Sequence, residues 1–293
     1  MSSTVSEEQL VLIVNELHHN FEKNYHETNR AMHLSERTRW LQLLSSITVE
    51  GKDILDIGTG SGFIPSVFLH ARVRFHSFTC SDISAELLAD ARLRLGKDSK
   101  QFLFVKLRNQ KLPFADGSMD VIIVNSVLHH LPNRKKFYSE TVRVLRPGGL
   151  LIVAHEPNKR FMQSKFLHGI SKFAAASFAH LGKIRQFLCR TKDADMHFSK
   201  INAELIRRGI IHRPLSIAVL SAYVDYHADA GIEWTEAPRE LVVKRIRTYN
   251  YLSSLSFAYP YWWWRLGARI YDALMSVPFH HKGGTFTVVY ERC

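Results

Sequence analysis

The chain has 293 residues, of which 46% are hydrophobic and 23% are charged. This composition is typical of a folded globular protein and excludes a disordered chain, and the length suits one large α/β domain or a domain with a sizeable insertion. A formal charge of +12 favours an acidic partner such as nucleic acid, an anionic membrane surface or an anionic substrate, but it equally describes a basic surface without a dedicated partner.

Cysteine content and hydropathy bear on the cellular location. Cys80, Cys189 and Cys293 are scattered and form no CxxC pair or metal-ligand spacing, which predicts a reduced, cytoplasmic protein without a metal site. Residues 1–17 begin polar and acidic, unlike a signal peptide. No apolar run reaches the ~18 residues that span a bilayer; residues 257–277 come nearest and contain three charged side chains.

Apolar periodicity predicts two helices at the start of the chain and then a regular alternation of strands and helices. The opening helices are predicted over 7–17 and 34–47, the strands over 53–57, 74–80, 101–106, 119–125 and 150–154, and the intervening helices over 63–71, 84–95 and 134–145. Strands that are apolar throughout and separated by helices indicate a parallel sheet covered on both faces. The predicted fold class is therefore a doubly wound, Rossmann-like α/β core.

The alternation lapses after Pro157. Residues 159–208 are basic and helix-prone, 215–230 return as a helix, 232–236 are predicted as a short strand, 239–281 leave the core again as an aromatic-rich segment, and 285–291 form the closing strand. The predicted organisation is an N-terminal helical lid (1–50), a cofactor-binding core (51–158), a helical insertion (159–214), and the C-terminal part of the core with an aromatic-rich helical insertion (215–293).

A glycine loop follows the first predicted strand, in the sequence Asp56-Ile57-Gly58-Thr59-Gly60-Ser61-Gly62. Ligands of open α/β sheets bind beyond the carboxyl ends of the strands, where glycine lets the backbone approach closely. The spacing is GxGxG and not the GxGxxG of a dinucleotide site. A carboxylate directly before the loop would repel a pyrophosphate and attract an ammonium group, and Asp82 at the end of the second strand can accept both hydroxyls of a ribose. These features favour S-adenosylmethionine.

The sequence resembles the class I S-adenosylmethionine-dependent methyltransferases. The resemblance covers about residues 51–158 and rests on the glycine loop with Asp82-Ile83-Ser84, on Leu112-Pro113-Phe114-Ala115-Asp116-Gly117-Ser118-Met119-Asp120, on Leu128-His129-His130-Leu131 and on Leu145-Arg146-Pro147-Gly148-Gly149. It implies a seven-stranded sheet whose last strand, 285–291, is antiparallel. It also implies that Asp56 and the glycines contact the methionine and ribose moieties, and that Asp82 contacts the ribose.

Two adjacent positions depart from the family pattern. The acidic residue and alanine that often precede Leu-Pro-Phe are replaced by Arg108 and Asn109. Because an arginine cannot accept a hydrogen bond and an amide oxygen can, we expect Asn109 or groups near Gln110 to contact the adenine. The predicted cofactor-binding residues are Asp56, Gly58, Thr59, Gly60, Gly62, Asp82, Ile83, Asn109, Gln110, Asn125 and Ser126.

Methyl transfer from a sulfonium depends mainly on holding the acceptor close and aligned, and a base is needed only when the acceptor must lose a proton. The candidate bases follow the fourth and fifth strands: His129, His130, His155 and Glu156. Histidine suits this task because its pKa lies near neutrality. Packing or loop orientation is the alternative for each of them, and the sequence does not establish that a base is used.

The acceptor is expected to contact segments outside the core. Tyr25 in the N-terminal lid, with Tyr249 and Trp263 in the aromatic-rich segment, are the predicted substrate residues. The predicted function is methylation of a small, partly hydrophobic metabolite. The alternatives are a peripheral membrane enzyme with a lipid-like or isoprenoid acceptor, a basic nucleic-acid-binding protein, and a non-catalytic cofactor-binding regulator. No nucleic-acid-binding module accompanies the diffuse basic charge, so no specific nucleic acid is expected.

Overall fold

The computed structural model describes residues 5–21, 30–167, 169–170, 184–227, 230–251 and 262–293. Two helices, α1 (Glu7–Phe21) and α2 (Arg30–Leu44), precede the sheet. A capping box begins α1: the Gln9 amide donates to the Ser6 hydroxyl at 3.3 Å, and the Ser6 amide donates to the Gln9 side chain at 3.0 Å. Such reciprocal bonds satisfy amides that the first helical turn leaves free.

Seven strands form one sheet in the order β3-β2-β1-β4-β5-β7-β6. The strands are β1 (Asp53–Ile57), β2 (Ser77–Asp82), β3 (Leu103–Lys106), β4 (Met119–Asn125), β5 (Leu145–Pro157), β6 (Leu241–Tyr249) and β7 (Thr285–Arg292). All pairings among β1 to β5 are parallel, whereas β7 is antiparallel to both β5 and β6. The predicted Rossmann-like α/β fold, with seven strands and an antiparallel last strand, is confirmed.

Helices cover the two faces of the sheet. They are α3 (Phe63–Ala71), α4 (Ala85–Leu95), α5 (Arg134–Val144), α6 (Lys159–Met162), α7 (Ile184–Arg207), α8 (Ile217–Val224) and α9 (Trp262–Ser276). One buried cluster lies between the sheet and α5, and a second lies between the sheet, α2 and α3 and contains Trp40. A third, including Leu17, Leu205 and Leu220, joins α1 to α7 and α8. This third cluster ties the N-terminal segment to the region after the core.

The sixth strand differs from the sequence-based prediction. Residues 232–236 contribute only a bridge between Ile232 and Asn158 and a 3₁₀ turn (Trp234–Glu236), whereas β6 lies within the segment that was expected to leave the core. Most side chains of β6 are exposed, because it is an edge strand. Lysine and arginine are common on edge strands, where they discourage pairing with other chains, and here they hide the apolar pattern of a core strand.

Two further boundaries matter for the site. Strand β2 runs to Asp82, so that this carboxylate ends the strand, and Ser84 caps α4 by accepting from the Leu87 amide at 3.0 Å. The helix predicted over 215–230 is the shorter α8. None of the described helices is both long and apolar enough to cross a membrane.

Candidate functional site

A cavity opens past the carboxyl ends of β1, β2, β4 and β5, and α1 and α2 border it. Its lining contains these predicted site residues: Gly58, Thr59, Gly60, Asp82, Ile83, Asn109, Gln110, Asn125, Ser126, His130 and His155. Ligands of doubly wound sheets bind at this edge because connections diverge there to opposite faces. The structure therefore brings most of the predicted cofactor residues together around one space.

The glycine loop has the backbone that its sequence predicts. Gly58 and Gly60 have φ of +73° and +53°, a region that side chains disfavour. A Cβ on Gly58 would lie 2.3 Å from Cγ2 of Val127, whereas nothing lies within 4 Å of the Cβ position of Gly60. Gly62, at φ +88°, directly precedes α3 and packs against Ala91 of α4. It does not line the cavity. The open backbone at Gly60 can accommodate a ligand in close contact.

Asp82 stands at the end of β2 with its carboxylate facing this loop. Its two oxygens accept from the amides of Gly60 and Ser84, each at 2.9 Å. A carboxylate oxygen can accept more than one hydrogen bond, and Asp82 also lines the cavity. Burial raises the pKa of Asp82, and the amides of Ser84 and Gly60 partly offset this. The carboxylate is thus fixed in place with acceptor capacity toward the cavity.

Asp56 is fully buried behind the glycine loop and does not line the cavity. One carboxylate oxygen accepts from the Thr59 hydroxyl at 2.5 Å, and the other has no hydrogen-bond partner among the described residues. Burial raises the pKa of Asp56 to about 7. An unpaired buried acceptor is costly, so this position favours a ligand that brings a positive charge near the loop.

These observations test whether the residues fit S-adenosylmethionine. The open glycine backbone suits close contact with a nucleoside, and the Asp82 carboxylate suits its ribose. Asp56, when ionised, provides negative charge behind the loop without lining the cavity. Leu12, Ile83 and Leu107 add apolar walls. The residues around the cavity therefore fit S-adenosylmethionine.

We expect the affinity for S-adenosylmethionine to increase as the pH rises through about 7, the pKa of Asp56. Only the ionised carboxylate attracts a cation, so binding releases protons and is favoured at higher pH, up to the ~8 at which an α-amino group itself titrates. Calorimetric titrations in buffers of different ionisation enthalpy measure this release. Asp56→Asn is expected to abolish it, and a wild-type affinity independent of pH between about 6 and about 7.5 would contradict the role given to Asp56.

His130 lines the cavity from the turn that follows β4. Its Nδ1 lies 2.5 Å from the Val224 carbonyl, which can only accept, so Nδ1 carries the proton and donates. Burial lowers the pKa of His130 well below its usual range, and His129 adds to this effect. The imidazole is therefore neutral, with Nε2 as a proton acceptor.

Glu156 and His129 do not line the cavity. The Glu156 carboxylate accepts from the amides of Val127 at 2.6 Å, Leu128 at 2.7 Å and His129 at 3.3 Å, and from Nδ1 of His129 at 2.8 Å. These bonds hold the turn that carries His130. The contacts support a positioning role for Glu156 and His129, and the catalytic role predicted for each stays a prediction.

His155 occupies a bulge of β5 with a left-handed φ of +56°. Its Nδ1 lies 3.2 Å from Oε1 of Glu36, a buried residue of α2 that also lines the cavity. Burial opposes ionisation of both groups, but the imidazole of His155 and the guanidinium of Arg39 lower the pKa of Glu36 to about 2. Likewise the Glu36 carboxylate raises the pKa of His155 against the effect of burial. The two form a buried ion pair at the cavity wall.

Glu36 is the residue that the sequence analysis missed. With Arg39 three positions later, it has the pattern of an exposed ion pair on one helix face. Trp40 of the same helix donates from Nε1 to the Asn125 side chain at 3.0 Å. This bond fixes α2 over the end of β4, so Asn125 has a structural partner as well as a place in the lining.

The three predicted substrate residues have different outcomes. Tyr249 lies outside the cofactor cavity but adjoins it, since its hydroxyl donates to Oε2 of Glu36 at 3.4 Å and its ring lies 4.0 Å from the Arg39 guanidinium carbon. Tyr25 falls outside the described residues, and Trp263 lies in α9 without a described side chain. The substrate assignments of Tyr249, Tyr25 and Trp263 all stay predictions.

The part of the chain that carries the glycine loop is similar to known methyltransferase domains. Residues 55–153 match the family model described as a methyltransferase domain. An uncharacterized methyltransferase of Mycobacterium sp. strain JLS is 32% identical over 114 residues, which are 39% of this chain and 42% of that protein. Another, from Mycobacteroides abscessus, is 28% identical over 114 residues, 39% of this chain and 43% of that protein. The chain thus matches about two fifths of the length of these relatives.

One solved structure has the same fold over nearly the whole chain. It is a chain of the complex between the Haloferax volcanii Trm112 methyltransferase activator and a methyltransferase. It covers 95% of this chain and 98% of its own length, with a TM-score of 0.50 and 16% identity. At that identity the similarity shows the fold alone.

Proposed function

We propose that the protein transfers a methyl group from S-adenosylmethionine to a small, partly hydrophobic acceptor. The observation that carries this proposal is that one cavity is lined by the glycine loop, Asp82, His130 and the Glu36–His155 pair. S-adenosylmethionine, when bound, supplies an electrophilic methyl group on a sulfonium. The residues of the chain then need only bind, orient and, where required, deprotonate the acceptor.

The proposed roles follow from the contacts of each side chain. Asp82 accepts hydrogen bonds from the ribose hydroxyls, and Asp56 provides negative charge behind the glycine loop. His130 can accept a proton at Nε2, because its Nδ1 proton is committed to the Val224 carbonyl. His155 is held cationic by Glu36 and can donate a hydrogen bond to the acceptor. An acceptor that is already nucleophilic needs only the positioning.

A lipid-like acceptor is the second candidate, and the surface of α9 favours it. Leu266, Ile270 and Leu274 recur at helical spacing in α9 and are 49%, 53% and 67% exposed, and Val277 directly after the helix is 81% exposed. Apolar helix faces flanked by cations lie at membrane interfaces, and the exposed Arg269 flanks this one.

Transfer of labelled methyl groups tests the function and separates the candidates. The protein is incubated with methyl-labelled S-adenosylmethionine and either an aqueous metabolite pool or vesicles of a lipid extract. We expect a labelled product in the aqueous pool, and a product confined to the vesicles would instead establish the lipid-like acceptor. Binding of the cofactor without transfer in either pool would contradict the enzyme and favour a non-catalytic regulator.

A further inference from the structure

A second groove lies beside the cofactor cavity, between α2 and the strands β6 and β7. Its basic side chains are Arg39, Arg245 and Arg247, and we call it the arginine groove. Its other lining residues are Glu36, Trp40, Gln42, Leu43, Ile246, Tyr249, Thr287 and Val289. Glu36 lines both the arginine groove and the cofactor cavity. The groove and the cofactor cavity therefore meet at Glu36.

Strand geometry explains why the basic side chains face the groove. Successive side chains of a strand alternate between faces, so Arg245, Arg247 and Tyr249 lie on one side of β6 beyond the bulge between Val243 and Arg245. That side faces α2. The order along the strand leads from the two arginines to Tyr249, whose hydroxyl donates to Glu36.

Two of the three arginines have no acidic partner in the described part of the chain. Arg39 is paired with Glu36, but Arg245 donates to the Ser46 hydroxyl and Arg247 donates to the Gln42 side chain at 3.0 Å. Among the described residues, no carboxylate forms an ion pair with either of them. The neutral partners orient each guanidinium across the groove and leave its positive charge uncompensated. Guanidinium groups held in this way suit an oxyanion, which can take two N–H bonds from each.

We propose that the arginine groove binds the anionic end of the methyl acceptor, a phosphate or carboxylate group on an apolar body. The apolar side chains of Trp40, Leu43 and Val289 line the same groove. An acceptor whose oxyanion contacts Arg245 and Arg247 places its apolar part along this surface and its reacting end beside the Glu36–His155 pair. The assignment of the acceptor rests on the proposed function, whereas the binding of an anion does not.

Calorimetric titration of the protein with octyl phosphate, in the presence of S-adenosylhomocysteine, tests the proposal. The double variant Arg245→Gln/Arg247→Gln is expected to lose affinity at least ~10-fold, because both charge-assisted contacts are removed. The matched control is Arg92→Gln/Arg94→Gln, which removes two exposed arginines from α4 and is expected to bind as the wild type does. Octanol, which lacks the anion, is expected to bind with no dependence on Arg245 and Arg247.

The affinity of each variant for S-adenosylhomocysteine separates the two proposals. Unchanged affinity shows that the double variant is folded and that the cofactor cavity is intact. An equal loss of octyl phosphate binding in both double variants, or no loss in either, would overturn the arginine groove as an anion site. Binding of octyl phosphate that depends on Arg245 and Arg247 in a protein that binds no S-adenosylhomocysteine would overturn the proposed function and leave the anion site standing.

Discussion

Replacement of Asp82 by alanine is expected to reduce the affinity for S-adenosylmethionine at least ~100-fold, since it removes charged hydrogen bonds in a buried site. In the part of the chain that the structure describes, the Asp82 carboxylate is the only group at the end of β2 that both lines the cavity and holds the glycine loop. It holds the loop by accepting from the Gly60 amide at 2.9 Å. Its loss removes the contacts with the ribose and loosens the loop together. Isothermal titration calorimetry measures the change.

Two further variants make the Asp82 result specific. Asp82→Asn keeps one acceptor oxygen without the charge, and an intermediate loss of affinity is expected. Asp90→Ala on α4 removes a half-exposed carboxylate that pairs with Arg94 at 3.2 Å, and no loss is expected. Wild-type affinity in Asp82→Ala would show that the ribose does not lie at the end of β2.

Replacement of Glu156 by glutamine is expected to lower the free energy of unfolding by about 2–4 kcal/mol, since buried donors that bond to the carboxylate are left without an acceptor. The carboxylate accepts from three successive amides and from the His129 ring. An amide side chain presents one acceptor oxygen and turns its NH₂ group toward donors. Urea denaturation followed by circular dichroism measures the difference.

The control for Glu156 is Glu50→Gln, which changes a side chain that is 61% exposed and paired with Arg74. Its unfolding free energy is expected to change by less than ~0.5 kcal/mol, as is usual for exposed pairs. A similarly small change in Glu156→Gln, accompanied by a loss of methyl transfer, would return Glu156 to the catalytic role that its position in the sequence suggested.

The sequence identifies most of the residues that line the cavity around the glycine loop, because they lie in local segments. The glycine loop directly follows β1, and Asp82 is the last residue of β2. Parallel strands bring their carboxyl ends to one edge of the sheet. The apolar strands that form the centre of the sheet are also predicted from the sequence. Each of these features depends on residues close in sequence and on a repeating pattern.

The other wall of the site depends on contacts between distant segments. Glu36 meets His155 across more than a hundred residues, and nothing in the sequence around Glu36 distinguishes it from an exposed helix residue. His129 and His130 are neighbours in sequence, yet the Glu156 carboxylate holds one away from the cavity and the Val224 carbonyl orients the other. The exposed side chains of β6 likewise conceal its place in the sheet.

We propose that the cavity at the carboxyl edge of the sheet binds S-adenosylmethionine between the glycine loop and Asp82. A crystal structure of the protein with S-adenosylhomocysteine tests it most directly. We predict that the ribose hydroxyls lie within hydrogen-bond distance of the Asp82 carboxylate and that the ligand contacts the backbone at Gly60. A ligand bound elsewhere, or one whose ribose is turned away from Asp82, would contradict this mode of cofactor binding.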